Sequence, residues 1–497
     1  MYPFFTYSPN RHYFEYRWYN LELLRLLGAA PYGGCDAAEF LELVASLKPN
    51  DAEDWNRKFL ALAERTQTWG DEMLKSGHRS AAKGAFLRAC NYFRCAQYLF
   101  PIMPAKDQPR FLGLYHRSVA SFEQAAELME HEVRRVRIPF QPPEHRAAPL
   151  KLPGWLHLPG DSQRLHGRRG TPVLICIGGA DSTQEELYFL SVAEGPALGY
   201  AVLTFDGPGQ GLVLREDGVP LRPDGEVVVE AVLDFLESYA AEHPEANLDL
   251  DAIAVTGQSL GGYLALRGAA DRRIKACVAV DPIYDFYDLA MSRMPRWFMW
   301  PWERNYMGDG FVDFAVIEHA KLDVATKYTF AQGGQMFGSS NPAQMIRDMK
   351  QYTFRLDKTI TAKTNINNSN NRIDDENNNT TKPRRGNRDY LEWIHCPVLV
   401  TGAAGDPKLF LPEMSTSAIM RNLLSVPEGD KELWIPSAWS EGGAQAKSGA
   451  WPLLQYRTFK FLDQKLGIER RGGGAWQNGV HQNGVHFENG FASNGYR

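Results

Sequence analysis

The stretch 254-AVTGQSLGGYLALRGAA-270 decides the fold class of this 497-residue chain. Its apolar start is typical of a buried strand, and the residues after the serine are typical of a helix. Gly257 and Gly261 flank Ser259 in the pattern G-x-S-x-G. A sharp strand-to-helix turn needs residues without a Cβ at those two positions, and it presents the serine hydroxyl above the sheet. The pattern therefore predicts that Ser259 is a nucleophile.

Eight short runs of strand-forming residues alternate with helical patterns from about residue 131 onward. Most of the later runs are almost wholly apolar, as expected of strands that are covered on both faces of a parallel sheet. This alternation predicts an α/β fold with a mostly parallel, eight-stranded sheet. The runs are EVRRVRIPF, GWLHLP, PVLICIGG, AVLTFD, AIAVTGQS, ACVAVDPI, PVLVTGA and ELWIPS.

The N-terminal part of the chain shows helical periodicity and few strand signals. We predict an all-helical lid domain at 1–130 and an α/β domain at 131–467. An Asn-rich insert at 361–387 and a Gly/Asn-rich tail at 468–497 are predicted to be disordered. The insert is polar, and its few apolar side chains cannot offset the entropy that ordering would cost.

Composition excludes several function classes. The formal net charge of -5 gives no reason to expect nucleic acid or an anionic membrane as partner. No apolar run approaches the roughly 20 residues that span a bilayer, and the aromatic N-terminus lacks the order of a signal peptide. The six cysteines form no metal-type pairs, and we predict a cytoplasmic protein without metal or cofactor. The expected binding partner is a small-molecule substrate. The expected protein partner is a second copy of the chain, in a homodimer.

Two further segments predict the groups around the serine. The run CIGGAD at 176–181 ends an earlier strand in glycines, where folds with this turn place their second oxyanion amide. The backbone amides of Leu260 and Ala180 are therefore the predicted oxyanion donors. Asp406 ends a later apolar strand and is the predicted acid, with Asp281 and Asp285 as alternatives.

The chain resembles the branch of the α/β-hydrolase family that carries an N-terminal helical domain. This branch includes a fungal pigment hydrolase that shortens a polyketide, 2,6-dihydropseudooxynicotine hydrolase and the fermentation-respiration switch protein. The resemblance covers most of residues 50–465. The segments that carry it are GAFLRACNYFRCAQYLF, GGADSTQEE, DGPGQG with GQSLGG, and EGGAQAKSGAW.

The resemblance also reveals a departure from the family pattern. The closing segment of the family looks like E-G-A-x-x-His-C-Q-x-G-A, and its His is the catalytic base. The matching position in this sequence is Gln445. We call this position the base slot, and it is vacant here because an amide cannot accept and return a proton near neutral pH. The alternatives for the base are His319, His78, His116 and Lys447.

By resemblance, the expected function is a serine-nucleophile hydrolase of fungal-type secondary metabolism. Its substrate would be a polyketide or polyketide–amino-acid intermediate with a ketone, thioester or ester carbonyl. One alternative is non-hydrolytic release or cyclisation by condensation in a cytochalasan-like pathway. The other is a degenerate hydrolase that only binds. The aromatic segment 294–307 is expected either to line a substrate cavity or to form a plug between the two domains.

Overall fold

The computed structural model describes residues 17–49, 51–142, 149–165, 167–356, 389–405 and 414–470. The predicted insert at 361–387 lies outside the described residues, as does the tail beyond residue 470.

One eight-stranded sheet forms the centre of the molecule, with the strand order β1-β2-β4-β3-β5-β6-β7-β8. β2 pairs antiparallel with β1 and with β4, and all the other neighbours are parallel. The strands are β1 Glu132–Phe140, β2 Leu150–Leu158, β3 Thr171–Ile177, β4 Ala201–Phe205, β5 Leu248–Gln258, β6 Ile274–Val280, β7 Val398–Thr401 and β8 Lys431–Trp434. The prediction of a mostly parallel, eight-stranded α/β fold is confirmed, and each predicted run contributes one strand.

Within the described residues, five helices precede the sheet and ten more follow. The first five are α1 Arg17–Gly28, α2 Ala37–Ser46, α3 Ala52–Lys75, α4 Arg79–Gln97 and α5 Gln108–Ala126. The next three are α6 Gly211–Arg215, α7 Gly225–Glu242 and α8 Leu260–Gly268. Between β6 and β7 lie α9 Phe286–Arg293, α10 Arg296–Glu303, α11 Asp309–Ala320, α12 Val324–Phe337 and α13 Pro342–Asp348. The last two are α14 Thr416–Asn422 and α15 Trp451–Lys465.

The apolar character of the central strands follows from burial on both faces. In β3, Val173 and Ile175 join the core on the side of α7 and α8, whereas Leu174 and Cys176 join the core on the side of α15. Successive strand residues point to opposite faces, so a strand covered on both sides needs an apolar residue at every position.

The helical region has its own core and also packs directly on the sheet. A cluster that includes Tyr19, Phe59 and Phe93 is built mainly from the N-terminal helices. Phe122 of α5 contacts Trp155 of β2, with ring centroids 5.2 Å apart. The division into a lid domain at 1–130 and an α/β domain at 131–467 stays a prediction.

A buried cluster of charges ties the helical region to the loop after β3. Arg25 of α1 donates to both carboxylate oxygens of Glu186 and, at 3.0 Å, to Asp181. Arg94 of α4 pairs with Glu22 at 2.6 Å and with Glu186 at 3.7 Å. Charges removed from water are stable only when they are paired this closely, so the cluster holds α1 and α4 against the loop.

The described part of the chain has no membrane-spanning helix, no group of metal ligands and no disulfide. No helix there has the length and apolar character needed to cross a bilayer. No group of three metal-ligating side chains occurs in that part either. All six cysteines lie buried as free thiols, without a disulfide.

Replacing Arg94 with methionine should lower the free energy of unfolding by about 3–5 kcal/mol, because Glu22 and Glu186 would lose a buried cation. Urea unfolding followed by circular dichroism measures the change. Lys83→Met is the matched control, because Lys83 pairs at 3.1 Å with Glu130, whose side chain is 86% exposed. That control should cost less than about 1 kcal/mol. Equal costs for the two variants would contradict a structural role of the buried cluster.

Candidate active site

Ser259 occupies a strained turn between β5 and α8. Its backbone has φ 56° and ψ -115°, a conformation that a residue with a side chain keeps only when its surroundings hold it. The Ser259 N–H donates to the carbonyl oxygen of Val280 at 2.8 Å. The amides of Gly262 and Tyr263 donate to the Ser259 carbonyl oxygen at 3.0 and 3.3 Å. The turn is therefore held from both sides.

Gly257 and Gly261 allow three backbone segments to meet at this turn. A Cβ on Gly257 would lie 2.1 Å from the carbonyl oxygen of Gly261. A Cβ on Gly261 would lie 2.3 Å from the carbonyl oxygen of Ile177. Only glycine permits so close an approach, which explains the G-x-S-x-G pattern at both positions.

The two predicted oxyanion amides lie on elements that adjoin the serine. Leu260 is the first residue of α8, and Ala180 follows β3. The Ala180 loop abuts the turn, because a Cβ on Gly179 would lie 4.0 Å from the Ser259 Cβ. Within the described residues, neither amide donates a hydrogen bond to another group. Such N–H groups stabilise negative charge on a carbonyl oxygen that reacts beside them.

Two glutamines that the sequence analysis did not single out hold the Ala180 loop in place. Gln210 donates its side-chain amide to the carbonyl oxygens of Gly178 and Gly179, at 2.5 and 3.2 Å. Gln332 of α12 donates to the Ala180 carbonyl oxygen at 3.3 Å. The segment DGPGQG at 206–211, which contains Gln210, thus supports the loop of the predicted oxyanion site.

Gln445, the predicted vacant base slot, lies beside the serine. Its Nε2 donates to Ser259 Oγ at 3.5 Å, the outer limit of a hydrogen bond. No histidine of the described residues lines the cavity at Ser259. The structure therefore places a neutral hydrogen-bond donor where a catalytic triad places a base.

A buried carboxylate lies next to Gln445 and binds the loop that carries it. Asp281 Oδ2 accepts from the Ala446 amide at 2.8 Å, and Oδ1 accepts from Lys447 Nζ at 2.8 Å and from Thr401 Oγ1 at 2.7 Å. The side chains of Asp281 and Lys447 are completely buried. Asp281, Ala446 and Lys447 all have positive φ, as Ser259 does. The carboxylate is thus saturated by an ammonium and by backbone and hydroxyl donors.

The other predicted acids have different positions. Asp406 lies outside the described residues. Asp285 caps the N-terminus of α9, where it accepts from the Asp288 amide at 2.8 Å, and it pairs with Arg355 at 2.8 Å. Asp285 therefore has a structural role in the helices between β6 and β7.

None of the alternative bases contacts Ser259. His319 Nδ1 lies 3.0 Å from Thr326 Oγ1, a contact that joins α11 to α12. His78 precedes α4, and His116 is exposed on α5. The Lys447 ammonium donates hydrogen bonds to Asp281 and, at 2.8 Å, to the Gly402 carbonyl oxygen. These contacts do not support a Ser–Lys pair.

Ser259 and Gln445 open into a mainly apolar cavity of about 300 Å³. Leu21, Arg25 and Tyr98 of the helical region form part of its wall, so that region covers the site. A cavity of this size and character suits a largely apolar small molecule. The apolar wall from the helices between β6 and β7 consists of Phe286, Leu289, Ala290, Met294, Phe330, Met336, Phe337, Met345, Ile346 and Met349.

The aromatic side chains of the segment 294–307 neither line the cavity nor form a plug between the two predicted domains. Of its residues, only Met294 reaches the cavity. Trp302 is buried in a small separate cluster with Met299. Trp297, Trp300 and Tyr306 are 73%, 49% and 76% exposed, and all three lie at the surface of the helices between β6 and β7.

Comparison with known proteins shows similarity in sequence and in structure. Residues 165–427 match the sequence pattern of the family described as "Alpha/beta hydrolase family". The chain is 79% identical over 470 residues to the alpha/beta hydrolase ucsC of Acremonium sp, covering 95% of this chain and 92% of that one. It is 40% identical to the hydrolase pyiE of Pyricularia grisea, covering 91% and 96%. The crystal structure of 2,6-dihydroxy-pseudo-oxynicotine hydrolase shares the fold, with a TM-score of 0.59 and 20% identity over 88% of this chain and 96% of that chain.

Replacing Lys447 with methionine should lower the free energy of unfolding by about 3–5 kcal/mol, because Asp281 would keep a buried charge without its cation. The double variant Asp281→Asn/Lys447→Met removes both charges and should cost clearly less than the sum of the single variants. A double-mutant cycle from urea unfolding measures this coupling. Additive costs would show that the two side chains do not stabilise each other.

Proposed function

The chain belongs to the alpha/beta hydrolase family, and from that premise we propose that it is a serine-nucleophile hydrolase of fungal-type secondary metabolism. Its substrate is a polyketide or polyketide–amino-acid intermediate that carries a ketone, thioester or ester carbonyl. The observation that carries the proposal is the position of the strained Ser259 turn at the wall of a mainly apolar cavity. Beside it lie two amides that donate no hydrogen bond within the described residues. The fungal origin of relatives named as hydrolases supports it.

In this reaction Ser259 Oγ attacks the substrate carbonyl carbon, and the carbonyl oxygen becomes an oxyanion. The Leu260 and Ala180 amides stabilise that oxyanion. Collapse of the intermediate breaks the bond to the leaving group, which takes up the serine proton, and leaves an acyl-serine. Water then hydrolyses the acyl-serine to a carboxylic acid and returns a proton to Ser259 Oγ. An enolate leaving group of a β-dicarbonyl compound needs less proton transfer than an amine, which suits a site without a histidine base.

Gln445 favours a second candidate, a ring-closing condensation. The stabilised enolate carbon of a β-dicarbonyl group attacks a ketone or aldehyde of the same molecule, and a carbon–carbon bond forms. The electrophilic carbonyl oxygen takes up the negative charge and is protonated to a hydroxyl. The attacking carbon then loses its remaining proton, a carbon–carbon double bond forms, and the hydroxyl leaves with that proton as water. Because the Gln445 amide donates toward Ser259 Oγ, the Ser259 proton is free to point at that oxygen. In this reaction the serine is a hydrogen-bond donor and forms no covalent bond.

We also propose that the protein works in the cytosol, which its buried free thiols support. A protein partner, including a second copy of the chain, stays a prediction.

Labelling with a fluorophosphonate probe tests whether Ser259 is a nucleophile. We expect the wild type to be labelled and Ser259→Ala to be unlabelled, because the probe reacts with an activated serine. Ser448→Ala is the control, since Ser448 lines the same cavity and its loss should leave the labelling intact. Intact mass spectrometry gives the readout. A folded wild type that stays unlabelled would contradict the nucleophile and favour condensation or, without any turnover, a binding protein.

Restoring a histidine in the base slot tests the role of Gln445. In Gln445→His we expect hydrolysis of a p-nitrophenyl ester to rise about tenfold, less than the 10²–10⁴ of an optimal general base. The gain stays below that range because Asp281, held by Lys447, is not free to orient the imidazole. The double variant with Ser259→Ala should lose the gain. An unchanged rate in Gln445→His would mean that position 445 is not the base slot.

A further inference from the structure

A second, smaller cavity of about 40 Å³ adjoins the main one. It lies between the helical region and α6, and it has room for a small group such as a carboxylate, since about 10–15 Å³ suffices for one water molecule. Six residues line both cavities, so the two share a wall. They are Tyr98, Ala180, Asp181, Ser182, Tyr328 and Gln332. We call this smaller cavity the annex.

Arg215, at the end of α6, brings a positive charge to the annex without a matching negative charge. Its guanidinium donates to the neutral side-chain oxygens of Gln332 and Gln335 and lies 5.1 Å from the centroid of the Phe111 ring. No carboxylate of the described residues forms an ion pair with it, although most other partly buried arginines have such a partner. Burial lowers the pKa of Arg215, and the nearby charge of Asp181 offsets this only in part.

The nearest carboxylates are already paired elsewhere. Asp181, which also lines the annex, accepts from Arg25 at 3.0 Å. Glu22 and Glu186 lie between Arg25 and Arg94 in the buried charge cluster. These three carboxylates thus pair with Arg25 and Arg94, and none of them forms an ion pair with Arg215. An additional anion at the annex would complete its coordination.

Tyr115 supplies an independent sign of a missing ligand. It lines the annex and is 3% exposed. Its hydroxyl has no hydrogen-bond partner within the described residues. A buried hydroxyl without a partner is costly, and most such groups in proteins bind something. Burial raises the pKa of Tyr115 well above its usual range, so the hydroxyl keeps its proton and remains a donor.

We propose that Arg215 and Tyr115 bind a planar oxyanion of the substrate, either a carboxylate or the enolate of a 1,3-dicarbonyl group. A guanidinium matches such groups because two parallel N–H donors meet two oxygens. The apolar remainder of the same molecule extends into the main cavity along Ala180, whose amide is one of the predicted oxyanion donors. This placement of the remainder rests on the proposed function, whereas the anion site itself does not.

Binding measured without turnover tests the site. The full chain with Ser259→Ala is titrated by calorimetry with decanoate, with the enolate of 2-decanoylcyclohexane-1,3-dione and with the neutral decanamide. We expect at least one anion to bind tenfold or more tighter than decanamide, because hydrogen bonds between charged groups are stronger than neutral ones. The tighter of the two anions identifies the oxyanion as a carboxylate or an enolate.

Further substitutions in the same background assign the effect to residues. Arg215→Gln should reduce the preference for the anion to about twofold or less and leave decanamide binding unchanged, because only the charged pair is lost. Arg215→Lys should retain part of the preference for the anion. It provides a second test of the site if Arg215→Gln does not fold. Tyr115→Phe should lower anion affinity by about threefold to tenfold through the loss of one donor. Arg164→Gln, whose side chain is 37% exposed, should change nothing.

The proposal is overturned if anions and decanamide bind alike, or if the preference survives in Arg215→Gln. Either result leaves the proposed function intact when Ser259 is labelled by the fluorophosphonate. Conversely, an Arg215-dependent preference together with an unreactive Ser259 would support the anion site and contradict the serine nucleophile.

Discussion

The close contact of three backbone segments at Ser259 is the constraint on which the rest of the site depends. β5, the loop after β3 and the start of α8 meet at distances that exclude a Cβ at Gly257 and Gly261. This contact holds the serine in a backbone conformation of positive φ, which is unfavourable in isolation. It also brings the Ala180 loop against the serine, so that one packing contact positions the hydroxyl and both candidate oxyanion amides.

The charge arrangement around that serine differs from that of a catalytic triad. In a triad, a carboxylate orients a histidine, and the histidine takes the serine proton. Here a buried carboxylate, Asp281, is saturated by Lys447, by Thr401 and by the Ala446 amide. The carboxylate therefore holds the loop that presents Gln445 and orients no base. This arrangement leaves hydrogen-bond donors at Ser259 without the usual histidine relay, and it is the reason for proposing a condensation beside hydrolysis.

The cavity joins parts of the chain that are remote in sequence. Its wall combines α1 and α4, the loop after β3, and the helices between β6 and β7. The paired charges of Arg25, Arg94, Glu22, Glu186 and Asp181 fix the helical side of this wall. Because the same pairs consume the nearby carboxylates, Arg215 is left to neutral partners at the edge of the cavity. A structural network thus also sets the electrostatic character of the binding site.

Sequence alone determined the eight strands, the turn at Ser259 and the glycines around it. Each follows from local physics, since burial on both faces demands continuous apolar runs and a tight turn demands residues without a Cβ. The family resemblance further identified Gln445, which the fold brings next to Ser259. Only the tertiary structure decided the partners of the charged residues. Asp281 and Lys447 are separated by 166 positions, and Arg25 and Glu186 by 161. It also decided that Trp297, Trp300 and Tyr306 face outward. Composition describes which side chains are available, whereas pairing and exposure depend on which surfaces the folded chain brings together.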